Sequence, residues 1–207
     1  MLATHKGTLM ITRRLLSAAA GLGLMFAALP ALAQPSRDAA AAPAGAYTLD
    51  INHTAVVARV PHQGFSYEIF RFTPISGQLT WNPASPAANQ LNVVVNAASI
   101  QTPVEGFSAE LSGPGFLNAA QFPQATFVST AFRQTDASHG QVDGTLTIKG
   151  VPKQVTFNVE LIGAGVGMRG NHVIGVHAAT TVNNADYSLP GYIAGQTEIV
   201  VDAEFKQ

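Results

Sequence analysis

Cysteine is absent from this chain of 207 residues, and charged residues make up only 11% of it. The lack of thiols excludes disulfides, thiol catalysis, cysteine metal sites, lipoprotein anchoring and covalent haem attachment. The scarcity of charge, combined with 47% hydrophobic residues, is typical of a folded domain with a sizeable core and not of a disordered chain. The sequence therefore predicts one compact domain that its core alone holds together.

Basic residues open the chain and then become rare. Lys6, Arg13 and Arg14 precede an apolar run over residues 15–30 and an A-x-A exit that ends at Ala33. This order predicts a signal peptide over residues 1–33 and a soluble periplasmic or secreted protein. A retained anchor is the alternative, but the run is shorter than the roughly 20 residues of a spanning helix. The arginine pair also resembles a twin-arginine signal, so the export route, Sec or twin-arginine, stays open.

Positive charge is even scarcer once residues 1–33 are removed. The remaining chain has eight Lys and Arg against twelve Asp and Glu, a formal charge of −4. Nucleic acids and anionic membrane surfaces attract clustered basic residues. We therefore expect neither of them as a partner.

The expected mature chain begins with small residues. Residues 34–46, QPSRDAAAAPAGA, offer nothing large to bury and predict a flexible leader. The folded domain is expected over residues 47–207.

Strand patterning dominates that domain. In GTLTIKGVPKQVTFNVEL, residues 144–161, apolar and polar residues alternate on both sides of a tight turn at Lys149-Gly150. Similar alternation recurs at residues 55–60, 67–72, 77–81, 91–96, 125–132, 173–182 and 198–205. About eight strands separated by turn residues favour an antiparallel barrel or sandwich. Between Thr102 and Phe122 the spacing instead predicts short helices, which we interpret as a lid across one end of a barrel.

The hairpin also carries a family likeness. Gly144 to Lys153, GTLTIKGVPK, closely resembles the signature G-x-L-T-I-x-G-V-T-K of the YceI-like family. Spacings elsewhere agree, and the resemblance extends from Tyr47 to Phe205. It implies an eight-stranded antiparallel, lipocalin-like barrel whose apolar tunnel holds a polyprenol, an isoprenoid quinone or a fatty amide. Such a protein is a lipid carrier and not an enzyme, and the resemblance adds a homodimer as an expected partner. A membrane cytochrome or another inner-membrane protein is a further expected partner, to which a quinone would be delivered.

The tunnel wall is predicted from this resemblance and from the distribution of aromatic residues. The predicted ligand-binding residues are His62, Phe65, Tyr67, Phe70, Phe72, Trp81, Phe107, Leu111, Phe116, Phe122, Phe127, Leu146, Ile148, Phe157, Val159 and Tyr187. His62 has two interpretations, a head-group or pH-sensing residue at the tunnel mouth and a histidine bound to a loop carbonyl. Alternation alone fits a filled core equally well.

Two positions depart from the family pattern. Phe70 stands where many members have glycine, which predicts a narrower or shorter tunnel. The stretch at residues 182–187 lacks the usual arginine, which predicts a changed polar contact near the entrance.

A protein-contact module and an enzyme are the two alternatives to a carrier. A stress-associated module that acts by protein contact would have a filled barrel and no cargo. An enzyme would need converging polar groups, but no histidine pair has the i, i+4 spacing of a helical zinc site and no serine lies in G-x-S-x-G. The sequence therefore predicts neither a metal site nor catalytic residues.

Overall fold

The structure is a computed structural model that describes residues 34–190 and 195–207. The predicted signal peptide lies outside the described residues. Ten β-strands and one α-helix run through them: β1 Gly45–Leu49, β2 Ala55–His62, β3 Ser66–Phe72, β4 Ile75–Trp81, β5 Gln90–Asn96, α1 Phe107–Ser112, β6 Gln124–Gln134, β7 His139–Ile148, β8 Val151–Val166, β9 His172–Asn183 and β10 Gln196–Lys206. Within the described ranges, no helix is long and apolar enough to cross a membrane.

The ten strands form an antiparallel barrel of eight. Strands β1 and β2 are two halves of one long strand, and β3 and β4 are two halves of the next, because Gly45 pairs with Trp81 and Val56 pairs with Phe72. Each later strand pairs with its neighbour in sequence, from β4 through to β10. Strand β10 then closes the barrel by pairing with both β1 and β2. The eight-stranded antiparallel barrel is confirmed.

Antiparallel order places the connections at two ends. The lid end carries the β2–β3 turn, residues 97–123 with α1, the β7–β8 turn and the segment that follows β9. The leader end carries residues 34–44 and the β4–β5, β6–β7 and β8–β9 connections.

The β7–β8 turn shows why the hairpin of the sequence motif is so tight. Lys149 and Gly150 both have positive φ, +53° and +75°, which is the two-residue turn that matches the twist of antiparallel strands. A Cβ on Gly150 would lie 2.7 Å from Cε1 of Phe122, so glycine also makes room for the end of the lid segment. The Lys149 ammonium donates to the Ser188 carbonyl at 2.9 Å and ties the turn to the segment after β9.

The leader differs from the flexible segment expected from its composition. Ser36 exchanges two backbone hydrogen bonds with Ala164 of β8, at 2.8 and 2.7 Å, and Ala42 is buried. Gly163 lets the leader approach closely, because a Cβ there would lie 2.7 Å from Cβ of Pro35. Small side chains that seemed to have nothing to bury thus pack across the leader end of the barrel.

Candidate ligand-binding cavity

The barrel interior is open instead of filled. A cavity of about 330 Å³ extends between the two ends, at the lower limit of the 300–1,000 Å³ that small-molecule pockets typically occupy. The buried core is divided into three separate clusters, centred on Leu79 and Phe205, on Phe127 and Phe157, and on Phe70 and Phe116, and each contributes to the cavity wall. Leu91 and Phe132 are partly buried, pack against both the first and the second cluster, and also line the cavity.

The wall is apolar because every strand presents its inward positions to it. Alternate residues of a strand point to opposite faces, so Ala178, with Val159 and Val201 opposite it on the two neighbouring strands, lines the middle of the barrel. Small inward residues such as Ala178 and Ala203 leave room that larger side chains would fill.

An aromatic pair shapes one side of the wall. The Phe127 and Phe157 rings meet edge to face, with centroids 5.1 Å apart. Gly144 makes this placement possible, because a Cβ there would lie 2.5 Å from Cζ of Phe127. Glycine at this position of the sequence motif is thus a packing requirement of the cavity wall.

The lid closes its end with a second aromatic group. Phe107 of α1 packs edge to face against Phe70, with centroids 6.1 Å apart, and against Phe116, with centroids 6.5 Å apart. Phe70 and Phe116 line the cavity, while Phe107 lies behind them. The helical lid expected from the sequence is present as one six-residue helix followed by hydrogen-bonded turns.

Polar groups reach the cavity at a few points. Thr197 donates to Oδ1 of the buried Asn184 at 2.7 Å. Tyr187 is 1% exposed, and its hydroxyl has no hydrogen-bond partner among the described residues. Burial, followed by the nearby Asp186 carboxylate, raises the pKa of Tyr187 to about 12, so this hydroxyl stays protonated at neutral pH. The indole N–H of Trp81, at the leader end, is also buried without a partner in the described part of the chain.

Charged residues border the cavity near its ends. Asp136 lies in the β6–β7 turn at the leader end, where hydrogen bonds from the Ser138 backbone N–H and the His139 side chain lower its pKa to about 2. Lys149 lies at the lid end, where its ammonium is bound to a carbonyl. Arg133, near the leader end of β6, also borders the cavity. These charges lie near the two ends, and the wall between them is mainly apolar.

Eleven of the sixteen predicted residues lie on the cavity wall. They are Phe70, Phe72, Trp81, Leu111, Phe116, Phe127, Leu146, Ile148, Phe157, Val159 and Tyr187. Phe70, the departure from the family's glycine, occupies space beneath the lid. The lost arginine of the family pattern corresponds to a region where Asn184 and Tyr187 reach the cavity instead.

Five predicted residues do not lie on the wall. Phe65 is 87% exposed in the β2–β3 turn, Tyr67 points outward from β3 because it alternates with inward Phe70 and Phe72, and His62 is exposed at the end of β2. The structure places Phe107 behind the wall and Phe122 over Gly150. The prediction for the β2–β3 region rested on the number of aromatic residues. Strand alternation places the aromatic residues of β3 on two different faces.

Several wall residues were not singled out from the sequence. They include Leu79, Leu91, Val93, Val95, Phe132, Ile174, Val176, Asn184, Thr197, Ile199 and Val201. For the apolar residues among them, the alternation of apolar and polar residues in their strands indicates the inward face. For Asn184 and Thr197 the sequence offered no such indication, because their contact joins the end of β9 to the start of β10.

A polar cluster on the outside of the barrel brings three side chains of metal-ligating types together. Asp50, His53 and Glu204 place one ligand atom each within 4.8 Å of one another. The Lys206 ammonium is hydrogen-bonded to Asp50 and lies 3.7 Å from Glu204, so a cation is already present. Lys206, followed by His53 and the Asn52 backbone N–H, holds the pKa of Asp50 well below its usual range. Asp50 also caps the turn at Ile51–His53, because its side chain accepts a hydrogen bond from the Asn52 backbone N–H.

Comparison with known proteins places the barrel in a family. The protein YceI of Escherichia coli O157:H7 is 31% identical over 188 residues, which cover 88% of this chain and 95% of that protein. A UPF0312 protein of Pseudomonas putida is 33% identical over 181 residues, covering 86% and 93%.

Solved structures share the fold. The crystal structure of Burkholderia cenocepacia BcnA matches with a TM-score of 0.68 and 23% identity, covering 75% of this chain and 98% of that one. A polyisoprenoid binding domain from Saccharophagus degradans, implicated in plant cell wall breakdown, matches with a TM-score of 0.57 and 17% identity, covering 77% and 97%. The YceI-like domain profile matches residues 47–205, and the chain therefore belongs to the YceI-like family.

Proposed function

We propose that this protein is a periplasmic carrier that holds one long-chain lipid, such as a polyprenol, an isoprenoid quinone or a fatty amide, inside the barrel. The observation that carries the proposal is the apolar cavity that extends between the leader end and the lid end. The Saccharophagus degradans neighbour, described as polyisoprenoid binding, supports the same ligand class. The proposal includes no chemistry on the cargo, so the protein acts by binding alone.

The cavity wall supplies the affinity in this proposal. Each methylene removed from water contributes about 0.8 kcal/mol, so ten buried carbons contribute roughly 8 kcal/mol before the ligand's lost freedom is counted. A chain that enters such a cavity needs few polar contacts to stay bound. An extended isoprenoid also suits a cavity whose wall includes residues from both ends of the barrel.

A contact module with a filled barrel is the second candidate. The open interior argues against the filled barrel. The β2–β3 turn favours a surface contact, because Phe65, Tyr67 and Ile69 are 87%, 55% and 45% exposed at the lid end. A carrier also needs a surface for delivery, so these side chains fit both candidates. A membrane cytochrome as receiver and a homodimer both stay predictions.

The test is native mass spectrometry of the mature protein purified without detergent, followed by solvent extraction of the bound material. A stoichiometric long-chain isoprenoid or amide is expected. Protein that is empty, and stays empty after incubation with polyprenol, quinone and fatty amide, would contradict the carrier.

A matched pair of variants locates the cargo. Leu146→Glu puts a charge on the cavity wall and should abolish ligand retention, whereas Thr147→Glu puts the same charge on the outer face of β7 and should not. Circular dichroism establishes that both variants fold. Equal retention by the two folded variants would show that the cargo lies elsewhere.

A further inference from the structure

The two most buried tyrosines of the barrel have different hydrogen bonding. Tyr47 and Tyr187 are 0% and 1% exposed. The Tyr47 hydroxyl donates to the Pro43 carbonyl at 2.8 Å, but the Tyr187 hydroxyl has no partner within residues 34–190 and 195–207. An unpaired buried hydroxyl is costly, and phenylalanine would fill nearly the same space without that cost. Tyr187 lines the cavity, so a bound molecule is the available partner.

The segment that carries Tyr187 is fixed at both sides. Residues Asn184–Tyr187 form a 3-10 turn after β9, capped by the Asn183 side chain, which accepts from Ala185 N at 3.1 Å. Lys149 donates to the Ser188 carbonyl at 2.9 Å, and Thr197 binds Asn184 at 2.7 Å. A hydroxyl held on such a segment is preorganised for one ligand position, because little further ordering is needed on binding.

We infer that the Tyr187 hydroxyl donates a hydrogen bond to an uncharged carbonyl or hydroxyl oxygen in the head group of the cargo. The inference rests on the proposed function and specifies its ligand: a neutral long-chain amphiphile whose head lies at the lid end and whose tail runs toward the leader end. The raised pKa of the phenol is consistent with a donor, since it stays protonated throughout the physiological range.

The charges around Tyr187 favour a neutral head. Lys149 is the cation at this part of the cavity border, and its ammonium is already bound to a backbone carbonyl. Asp186, next to Tyr187 in sequence, would repel an anion. A quinone carbonyl, a primary amide or an alcohol fits this site, whereas a phosphate or carboxylate would be buried without a free counter-charge.

The experiment compares two ligands of similar chain length, an isoprenoid quinone and an isoprenoid hydrocarbon that lacks any oxygen. Dissociation constants are measured for the mature wild-type protein, for Tyr187→Phe and for Tyr47→Phe, the matched control that loses a hydroxyl away from the cavity. We expect Tyr187→Phe to bind the quinone about tenfold more weakly and the hydrocarbon unchanged, so that selectivity is lost. Tyr47→Phe should keep the wild-type selectivity.

Thermal unfolding of the ligand-free proteins provides a second measurement. Tyr187→Phe should leave Tm unchanged or raise it, because it removes an unpaired hydroxyl, whereas Tyr47→Phe should lower Tm by breaking a hydrogen bond. A lower Tm in Tyr187→Phe would mean that the hydroxyl has an internal partner such as bound water, and would overturn the inference.

The remaining outcomes separate the two proposals. Binding of neither ligand by the wild-type protein would overturn the carrier function itself. Binding of both with equal affinity, unchanged in Tyr187→Phe, would keep the carrier and overturn the head-group site. Loss of selectivity in Trp81→Phe, with Tyr187→Phe unaffected, would also overturn it. Among the residues that the structure describes, Trp81 has the other unpartnered buried donor, and it lies at the opposite end.

Discussion

Ala178→Phe is the substitution that most directly tests whether the cavity is the binding site. Ala178 is 8% exposed, faces the middle of the barrel and pairs with Val159 on one side and Val201 on the other. A phenylalanine ring at this position would occupy the space through which an extended chain has to pass. The next residue, Ala179, points to the outer face of the same strand, so Ala179→Phe is the matched control.

The expected magnitudes follow from the open interior. Burying a phenylalanine side chain contributes about 1.5–3 kcal/mol, and overpacking a filled core costs about 1–3 kcal/mol. Because the cavity offers space, we expect the free energy of unfolding to change by no more than about 1.5 kcal/mol in the ligand-free protein. Displacing five carbons of the ligand removes about 4 kcal/mol of binding, which weakens affinity roughly a thousandfold.

Urea unfolding and lipid retention measure the two effects separately. The reasoning predicts a folded Ala178→Phe that retains almost no lipid, beside an Ala179→Phe that retains a full complement. Full retention by Ala178→Phe would refute a cargo path through the middle of the barrel. Destabilisation above about 1.5 kcal/mol would refute the open interior, because it falls in the range expected when a filled core is overpacked.

Three further predictions concern the wall, the outer ion pairs and the exposed turn. Gly144→Ala should destabilise the protein by about 1–3 kcal/mol in urea unfolding, because its Cβ would lie 2.5 Å from the Phe127 ring; an unchanged midpoint would contradict that contact. Asp50 has a folded-state pKa below its unfolded value of 3.8, so its contribution is present above pH 4 and declines as pH falls further; Asp50→Asn should therefore be less stable than wild type at pH 7, and the two should converge in acid unfolding titrations. Phe65→Ser should leave lipid affinity and Tm unchanged, since this side chain is 87% exposed, and weaker lipid binding would place the ligand at the β2–β3 turn.

Alternation in the sequence was enough to predict the strands and much of the cavity wall. The motif from Gly144 to Leu161 could be assigned to two faces, and Leu146, Phe157 and Val159 lie on the wall as their spacing predicts. Alternation does not reveal whether the inward face meets a filled core or a cavity. That outcome depends on the summed volume of inward side chains from all eight strands, which neighbouring positions in sequence do not report.

The hairpin of β2 and β3 shows where a prediction from residue type is wrong and strand alternation is right. Phe65, Tyr67, Phe70 and Phe72 look alike as a cluster of aromatic residues, but only Phe70 and Phe72 share the inward face of β3. Tyr67 instead stacks beneath the Arg59 guanidinium on the outer face, 4.7 Å from its ring centroid. Residue type alone therefore predicts a place on the cavity wall for Tyr67, whereas strand alternation directs its side chain to the outer face.

The leader also differs from the prediction made from its residue types, which are mostly small. Its composition predicts flexibility because alanine and glycine gain little from burial individually. Close backbone approach changes that balance: Pro35 fits over Gly163, Ser36 pairs with Ala164, and Ala42 reaches the cavity wall. Such packing depends on small residues in two segments that are 128 positions apart in the chain, so neither segment predicts it alone. Ala39 and Ala42 are the leader residues that line the tail end of the proposed ligand path, so the described part of the leader places no bulky side chain in the cavity.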